Sequence, residues 1–200
     1  TAMKLITFEG IEGAGKSTQI KLLSDYLMSL GFTISAYREP GSSDSGEEIR
    51  KILLNKELEI SNITELLLMF ASRSELVQSH IQNSKTDFVL LDRYYHASIA
   101  YQGFGRGISR SLIDNLINAI NAPKPDLTFL LDISPEEGFA RKQNHQMDRI
   151  ESSGLTFFND VREGYIQLAD ENDFFYKIAV SDKSIEEIFK KVKKKLQSIL

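Results

Sequence analysis

A glycine-rich segment near the start of the chain has the residue types that bind phosphate. Residues 10–17, Gly-Ile-Glu-Gly-Ala-Gly-Lys-Ser, fit the pattern G-x-x-x-x-G-K-[ST] in full. The glycines let backbone N–H groups point into one concavity, and the following helix adds the positive end of its dipole. Lys16 can reach the β- and γ-phosphates of a nucleoside triphosphate, and the Ser17 hydroxyl can hold Mg²⁺. The expected nucleotide-binding residues are Gly10, Ile11, Glu12, Gly13, Ala14, Gly15, Lys16, Ser17 and Thr18.

Charged residues follow the other predicted strands. Arg38 and Glu39 come after the apolar run 33–37, and Asp92 and Arg93 come after the run 88–91. Doubly wound sheets bind ligands outside the carboxyl edge of their strands, so we expect these side chains to converge on the glycine-rich loop. The guanidinium group suits bidentate phosphate contacts, which predicts a second phosphate site at Arg38 and Arg93. Ser17, Asp92 and Glu39 are the expected oxygen ligands of Mg²⁺.

Two phosphate sites facing each other indicate phosphoryl transfer between nucleotides. A phosphate monoester acceptor is mostly ionised at neutral pH, because its second pKa is near ~6. Such an acceptor requires no general base. Catalysis then reduces to alignment and charge neutralisation, for which Arg, Lys and Mg²⁺ are the suitable groups.

Strand-like and helix-like stretches alternate along the chain, which predicts an α/β fold with a parallel sheet. The expected strands cover residues 5–8, 33–37, 88–91, 127–131 and 174–180. Most are continuous apolar runs, which is typical of strands covered on both faces. Helices are expected over residues 16–30, 63–83 and 155–172. The prediction is one P-loop NTPase domain over residues 3–200, with a five-stranded parallel sheet sandwiched between helices and a flexible lid.

Composition narrows the function classes. The net charge of −4 argues against general nucleic-acid binding, and the absence of cysteine excludes disulfides and thiolate metal sites. No apolar run approaches the roughly 20 residues that span a membrane. The first apolar run is also too short for a signal peptide. We therefore expect a cytoplasmic protein that binds neither nucleic acid nor membrane.

Six segments carry a resemblance to a known enzyme family, in the family's order and at similar spacing over almost the whole chain. The chain resembles the bacterial thymidylate kinases. The segments are Phe8-Glu9-Gly10-Ile11-Glu12-Gly13-Ala14-Gly15-Lys16-Ser17, Arg38-Glu39-Pro40-Gly41, Asp92-Arg93-Tyr94, Ala100-Tyr101-Gln102-Gly103, Gly105-Arg106-Gly107 and Asp148-Arg149-Ile150-Glu151.

The resemblance implies the reaction ATP + dTMP → ADP + dTDP with Mg²⁺, in dTTP biosynthesis, and a homodimer. It implies that Arg38 and Arg93 bind the acceptor phosphate, with Pro40 in the same element. Glu12 would lie near the sugar 3′-hydroxyl, and Tyr101 would crowd the 2′ position and favour a deoxyribose.

The resemblance also assigns a base pocket. Arg73 would donate to a thymine carbonyl, with Ser98 and Gln102 near the ring edge. The family usually has an aromatic residue four positions before this Arg, but here that position is Met69 and Phe70 lies three before. Both positions share one side of a helix with Arg73. We expect Phe70 to stack on the base because it has the better stacking plane, with Met69 as the alternative.

The polar segment 141–153 lacks periodicity, as a mobile lid should. The glycine-rich loop contains no Arg, and the resemblance implies that such enzymes carry the catalytic cation in the lid. Arg149 is the first candidate for this role, and Arg141 is the alternative. Arg141 is also an expected nucleotide-binding residue.

Other readings stay open at this point. A deoxynucleoside kinase would attack with an alcohol and need a base, for which Glu39 is available. Another nucleoside monophosphate kinase would share the same two sites. A P-loop switch or motor protein is less favoured, because residues 55–58, Asn-Lys-Glu-Leu, lack the final Asp of the guanine signature.

Overall fold

The computed structural model describes residues 2–200, which form a five-stranded parallel sheet covered by helices on both faces. The strands are β1 (Lys4–Glu9), β2 (Ile34–Arg38), β3 (Phe88–Asp92), β4 (Leu127–Asp132) and β5 (Phe175–Ala179). Their order across the sheet is β2-β3-β1-β4-β5. The predicted five-stranded α/β architecture is therefore confirmed.

Within residues 2–200, eight α-helices connect and cover the strands. They are α1 (Lys16–Ser29), α2 (Asp44–Leu54), α3 (Asn62–Leu76), α4 (Tyr95–Ser98), α5 (Arg110–Ala119), α6 (Pro135–Ala140), α7 (Leu155–Glu171) and α8 (Ile185–Leu196). A π-helical turn, Val77–Ile81, continues α3, so the helix expected over residues 63–83 is present with a wider last turn. A second π-helical turn, Ile99–Gly105, follows α4, in a stretch for which no helix was predicted.

Strand register brings the site-forming residues to one edge of the sheet. Phe8 of β1 pairs with Asp92 of β3 on one side and with Phe129 of β4 on the other. Arg38 of β2 pairs with the same Asp92. The carboxyl ends of β1, β2 and β3 therefore lie side by side, as expected for a parallel sheet.

The interior of the sheet is almost entirely apolar, which explains the continuous hydrophobic runs in the sequence. The rings of Phe8 and Phe129 lie 5.0 Å apart between neighbouring strands. Thr7 and Thr128 are a buried polar pair in these strands, and their hydroxyls form a 2.7 Å hydrogen bond with each other. Within residues 2–200, every helix is too short or too polar to cross a membrane.

Candidate active site

The glycine-rich loop between β1 and α1 adopts the conformation that its composition predicts. Gly13 has φ 78°, and a side chain there would collide with the backbone carbonyl of Gly138 in α6. Lys16 is buried, and its Nζ donates to the carbonyl oxygens of Gly10 at 3.0 Å and Ile11 at 3.1 Å. The ammonium is thus held inside the loop, although burial and the charge of Arg93 lower its pKa. The loop can cradle a phosphate chain.

The end of α1 that faces the loop also offers oxygen ligands. Ser17 Oγ donates to Asp92 Oδ2 at 3.1 Å. Across residues 2–200 there is no cluster of three acidic or histidine side chains that could hold a metal alone. A hard cation here would be bound by Ser17, Asp92 and oxygens of a nucleotide, which fits the habit of Mg²⁺ to share its shell with substrate phosphates.

Two cavities meet in front of the loop. The first, of 400 Å³, is lined by loop residues together with Ser17, Arg38 and Asp92, and we call it the phosphate cavity. The second, of 290 Å³, extends between α3 and the turn Ile99–Gly105, and we call it the acceptor cavity. Five residues line both: Glu12, Glu39, Arg50, Arg93 and Lys142. Two ligands bound in these cavities would touch at this junction.

Arg93 is the central cation of the junction. It has a positive φ of 68°, and its backbone N–H donates to Phe8 O at 2.9 Å. Its Nη2 donates to Glu12 Oε1 at 2.7 Å and to the Tyr101 hydroxyl at 2.9 Å. Its Nε is buried and has no hydrogen-bond partner in residues 2–200, and the residue lines both cavities. Burial opposes ionisation of Glu12, but the charges of Arg93 and Lys16 lower its pKa to about 2.

The far end of the acceptor cavity is built around a buried arginine. Arg73 Nε donates to Glu39 Oε2 at 2.6 Å, and its Nη1 donates to Ser98 Oγ at 2.9 Å. Glu39 is therefore paired with Arg73, although it also borders the phosphate cavity. The Phe70 ring lies 4.6 Å from the Arg73 guanidinium carbon. This end of the cavity has the hydrogen-bond donors of Arg73 and an apolar surface at Met69. Such a combination suits a planar ring with polar edges.

The walls of this end separate the two candidate stacking residues. Met69, Ala97, Ser98, Tyr101 and Gln102 line the acceptor cavity. Phe70 is buried behind them against Arg73 and does not line the cavity. In this respect the geometry differs from the expectation for Phe70, because the helix turns its position away from the cavity and Met69 towards it.

Comparison with known proteins agrees with this geometry. The sequence profile described as thymidylate kinase matches residues 8–192. A thymidylate kinase of Prosthecochloris aestuarii is 46% identical over 177 residues, covering 82% of this chain and 79% of that protein. The corresponding protein of Chlorobium luteolum is 41% identical over 197 residues, covering 92% of both chains. The chain belongs to the thymidylate kinase family.

The fold comparison extends the similarity to three dimensions. The crystal structure of thymidylate kinase from Ehrlichia chaffeensis superposes with a TM-score of 0.80 at 32% identity. It covers 98% of this chain and 99% of that chain. The sheet, the phosphate loop and the helices around them are therefore those of a P-loop kinase of the thymidylate kinase family.

Arg50 is a site residue that the sequence did not reveal. It lies on α2, lines both cavities and donates from Nη1 to Pro40 O at 2.8 Å. The predicted Arg38 lines only the phosphate cavity, and its Nη2 pairs with Glu47 Oε2 at 3.1 Å. An isolated Arg within an amphipathic helix forms no recognisable motif, so only the packing of α2 against α3 and the contact with Pro40 identify it. In this member of the thymidylate kinase family, Arg50 and Arg93 line the junction, and Arg38 lies on the side of the phosphate cavity.

The lid segment differs from the expectation for its cations. Arg149 Nη2 donates to Glu65 Oε2 at 2.7 Å and its Nε to Leu53 O at 2.7 Å, outside the walls of both cavities. Arg141 bonds to Glu137 and lies 3.4 Å from the carbonyl oxygen of Gly13. Lys142 is the lid residue at the junction. The geometry thus gives Arg149 an anchoring contact and places Lys142 at the junction of the two cavities.

Glu9 is a buried carboxyl beneath the site of this family member. It accepts hydrogen bonds from Tyr94 N at 2.8 Å and from the Tyr165 hydroxyl at 2.7 Å, which fixes the turn that carries Arg93. Burial raises the pKa of Glu9 to about 7, although both hydrogen bonds oppose the rise.

The pKa of Glu9 predicts a pH-dependent stability. The folded carboxyl titrates near 7 and the unfolded one near 4.5, so the folded state binds more protons between these values. The free energy of unfolding should therefore fall as pH rises, by about 1 kcal/mol between pH 6 and 8 from this group. Glu9→Gln should remove that contribution in denaturant titrations at the two pH values. An equal pH dependence in the variant would contradict this assignment.

Proposed function

We propose that this protein is an ATP:dTMP phosphotransferase that forms ADP and dTDP. The observation that carries the proposal is the junction of two cavities at Arg93, with the phosphate loop on one side and a pocket for a planar ring on the other. Membership of the thymidylate kinase family supports the identity of both nucleotides.

The acceptor would bind with its phosphate at the junction. The Arg93 guanidinium lines both cavities there, and Arg50 and Arg38 border the same space. Guanidinium groups hold phosphate oxygens bidentately, so they can orient the acceptor as well as neutralise it. Tyr101 and Glu12, bonded to Arg93, would lie against the sugar, where the Tyr101 ring favours a deoxyribose.

The donor would bind along the glycine-rich loop, with Lys16 close to the transferring phosphoryl group. Arg141 lies beside the loop near Gly13 and would contact the donor nucleotide. Mg²⁺ would be held by Ser17 and Asp92, with Glu39 further away because it is paired with Arg73. When bound, the ion neutralises charge on the β- and γ-phosphates.

The chemical step needs no protein base. The acceptor phosphate is mostly ionised above its second pKa of about 6, and its oxygen attacks the γ-phosphorus directly. The protein aligns the two phosphates and balances the charge with Lys16, Arg93 and a lid cation. Because Lys142 lines both cavities whereas Arg149 lies outside them, we assign the lid cation to Lys142.

An ADP-release assay tests the function. ATP and Mg²⁺ are kept constant while dTMP, dUMP, dCMP, AMP, GMP and thymidine are compared as acceptors. Turnover should depend on dTMP and be far weaker with AMP or thymidine. Equal turnover with thymidine would indicate a nucleoside kinase, and ADP release without any acceptor would indicate an ATPase of the switch or motor class.

The homodimer and the cytoplasmic location remain predictions. The exposed side chains of Ile63 and Leu67 lie one turn apart on α3 and form an apolar strip that a second copy could cover. Light scattering of the purified chain should therefore give twice its mass of 22.7 kDa. A monomer at micromolar concentration would contradict the dimer.

We assign the base contact to Met69, with Phe70 supporting Arg73 from behind. Met69→Ala should raise the dTMP KM roughly tenfold, which corresponds to about 1.4 kcal/mol, because it removes the floor of the pocket. Phe70→Leu keeps most of the volume and loses the ring face beneath the guanidinium, so its effect should be smaller. Steady-state kinetics at saturating ATP measure both. A tenfold rise for Phe70→Leu alone would return the role to Phe70.

A further inference from the structure

Glu65 is a buried carboxylate that lies outside both cavities yet joins three elements around them. It is in the first turn of α3, and its side chain is 1% exposed. Arg106 donates to it in a bidentate pair, with Nε 3.1 Å from Oε1 and Nη2 3.2 Å from Oε2. Arg149 of the lid segment and Gln102 complete the set. Nothing in the mechanism above uses this carboxylate.

The bond to Gln102 fixes the direction of an amide that lines the acceptor cavity. Gln102 Nε2 donates to Glu65 Oε1 at 2.9 Å. A carboxylate can only accept hydrogen bonds, so the amide must turn its NH₂ group to Glu65. Within residues 2–200, no donor reaches Gln102 Oε1. That oxygen is consequently left as an acceptor for a ligand in the cavity.

Glu65 stays ionised, which is the condition for this arrangement. Burial alone would disfavour its charge, but the hydrogen bonds from Arg106 and Gln102 and the charge of Arg106 lower its pKa. Arg149 contributes a further charge-assisted bond of 2.7 Å. With two guanidinium groups bound to it, the Glu65 carboxyl stays deprotonated near neutral pH and therefore cannot donate a hydrogen bond.

We propose that Glu65 is a positioning residue that sets the hydrogen-bonding sense of the base end of the acceptor cavity. Through Glu65, Gln102 presents an acceptor beside the donors of Arg73. A pyrimidine with a ring N–H next to a carbonyl complements this pair. A pyrimidine with a ring nitrogen acceptor next to an amino group would place its ring nitrogen against the Gln102 acceptor and its amino group against the Arg73 donors. Buried polar groups would then be left unpaired. The inference rests on the proposed function, because it concerns the acceptor of that reaction.

The test compares Glu65→Gln with the wild type in binding titrations of dTMP, dUMP and dCMP. A glutamine at position 65 can both donate and accept, so the Gln102 amide is free to bind in either direction. The ratio of the dCMP to the dTMP dissociation constant should fall at least tenfold. The ratio for dUMP, which keeps the ring N–H, should not change. Glu75→Gln, an exposed Glu on the same helix, is the matched control and should change neither ratio.

Further measurements separate positioning from a structural effect. At saturating ATP, Glu65→Gln should raise the dTMP KM more than it lowers kcat. Glu65→Asp keeps the charge but, being one methylene shorter, draws back from Gln102 and from both arginines, so its dCMP ratio should fall by a smaller factor. If Glu65→Gln does not fold, the dCMP ratio of Glu65→Asp tests the positioning role instead. An unchanged dCMP ratio in a folded variant overturns the inference, whereas a wild type that fails to phosphorylate dTMP overturns the proposed function itself.

Discussion

Replacing Lys16 by alanine should lower kcat for dTMP phosphorylation by about 10²–10³-fold, the loss typical of removing one preorganised charge from a developing transition state. The Lys16 ammonium is buried and held by the carbonyl oxygens of Gly10 and Ile11. It is therefore already in place when the phosphoryl group moves. The substitution also frees two loop carbonyls, so ATP affinity should weaken as well.

Lys21→Ala is the matched control for this prediction. Lys21 lies on the same helix, exposed to solvent, and pairs with Asp25 one turn away. Exposed pairs of this kind are worth roughly 0.3–0.5 kcal/mol, so kinetics should be unchanged. Rapid-quench assays at saturating ATP separate the loss in kcat from the loss in binding. A Lys16→Ala enzyme with wild-type kcat would show that the ammonium only helps to bind ATP.

The sheet and the phosphate loop could be predicted because their signals are local. Runs such as 88–91 and 127–131 are apolar on both faces, and only strands inside a covered parallel sheet need that pattern. The loop follows from its own glycines and from Lys16. The carboxyl ends of parallel strands must share one edge of the sheet. The convergence of Arg38 and Arg93 on the phosphate cavity could therefore be predicted as well.

Contacts between elements distant in the chain could not be predicted in the same way. Arg50 and Glu65 lie in ordinary amphipathic helices, and their roles depend on what α2 and α3 pack against. The choice between Met69 and Phe70 depends on the rotation of α3 by a fraction of a turn. Helical periodicity puts both residues on the side of Arg73 and cannot resolve that rotation.

The partners of the charged residues in the lid segment could not be predicted from the sequence either. Its cations are close together in the sequence, but each has a different partner in the fold. Arg149 meets the buried Glu65, Arg141 meets Glu137, and Lys142 meets Glu151 at the junction of the cavities. The two contacts of Arg149, with Glu65 Oε2 and Leu53 O, hold it outside both cavities. Lys142 is also paired with a buried carboxylate, but it lines the junction itself.

Lys142→Ala should consequently lower kcat by about 10²-fold, with a much smaller change in the dTMP KM, because its charge acts on the transferring phosphoryl group. Lys142→Arg should keep most of the rate. Glu151→Gln removes the carboxylate that Lys142 contacts while leaving the ammonium, and it serves as the control for the broken pair. Arg149→Ala should instead loosen the lid segment, seen as faster proteolysis there, and reduce kcat less than Lys142→Ala does. If Arg149→Ala abolishes turnover and Lys142→Ala retains it, the lid must swing far enough to exchange Glu65 for the phosphates, and Arg149 is the catalytic cation.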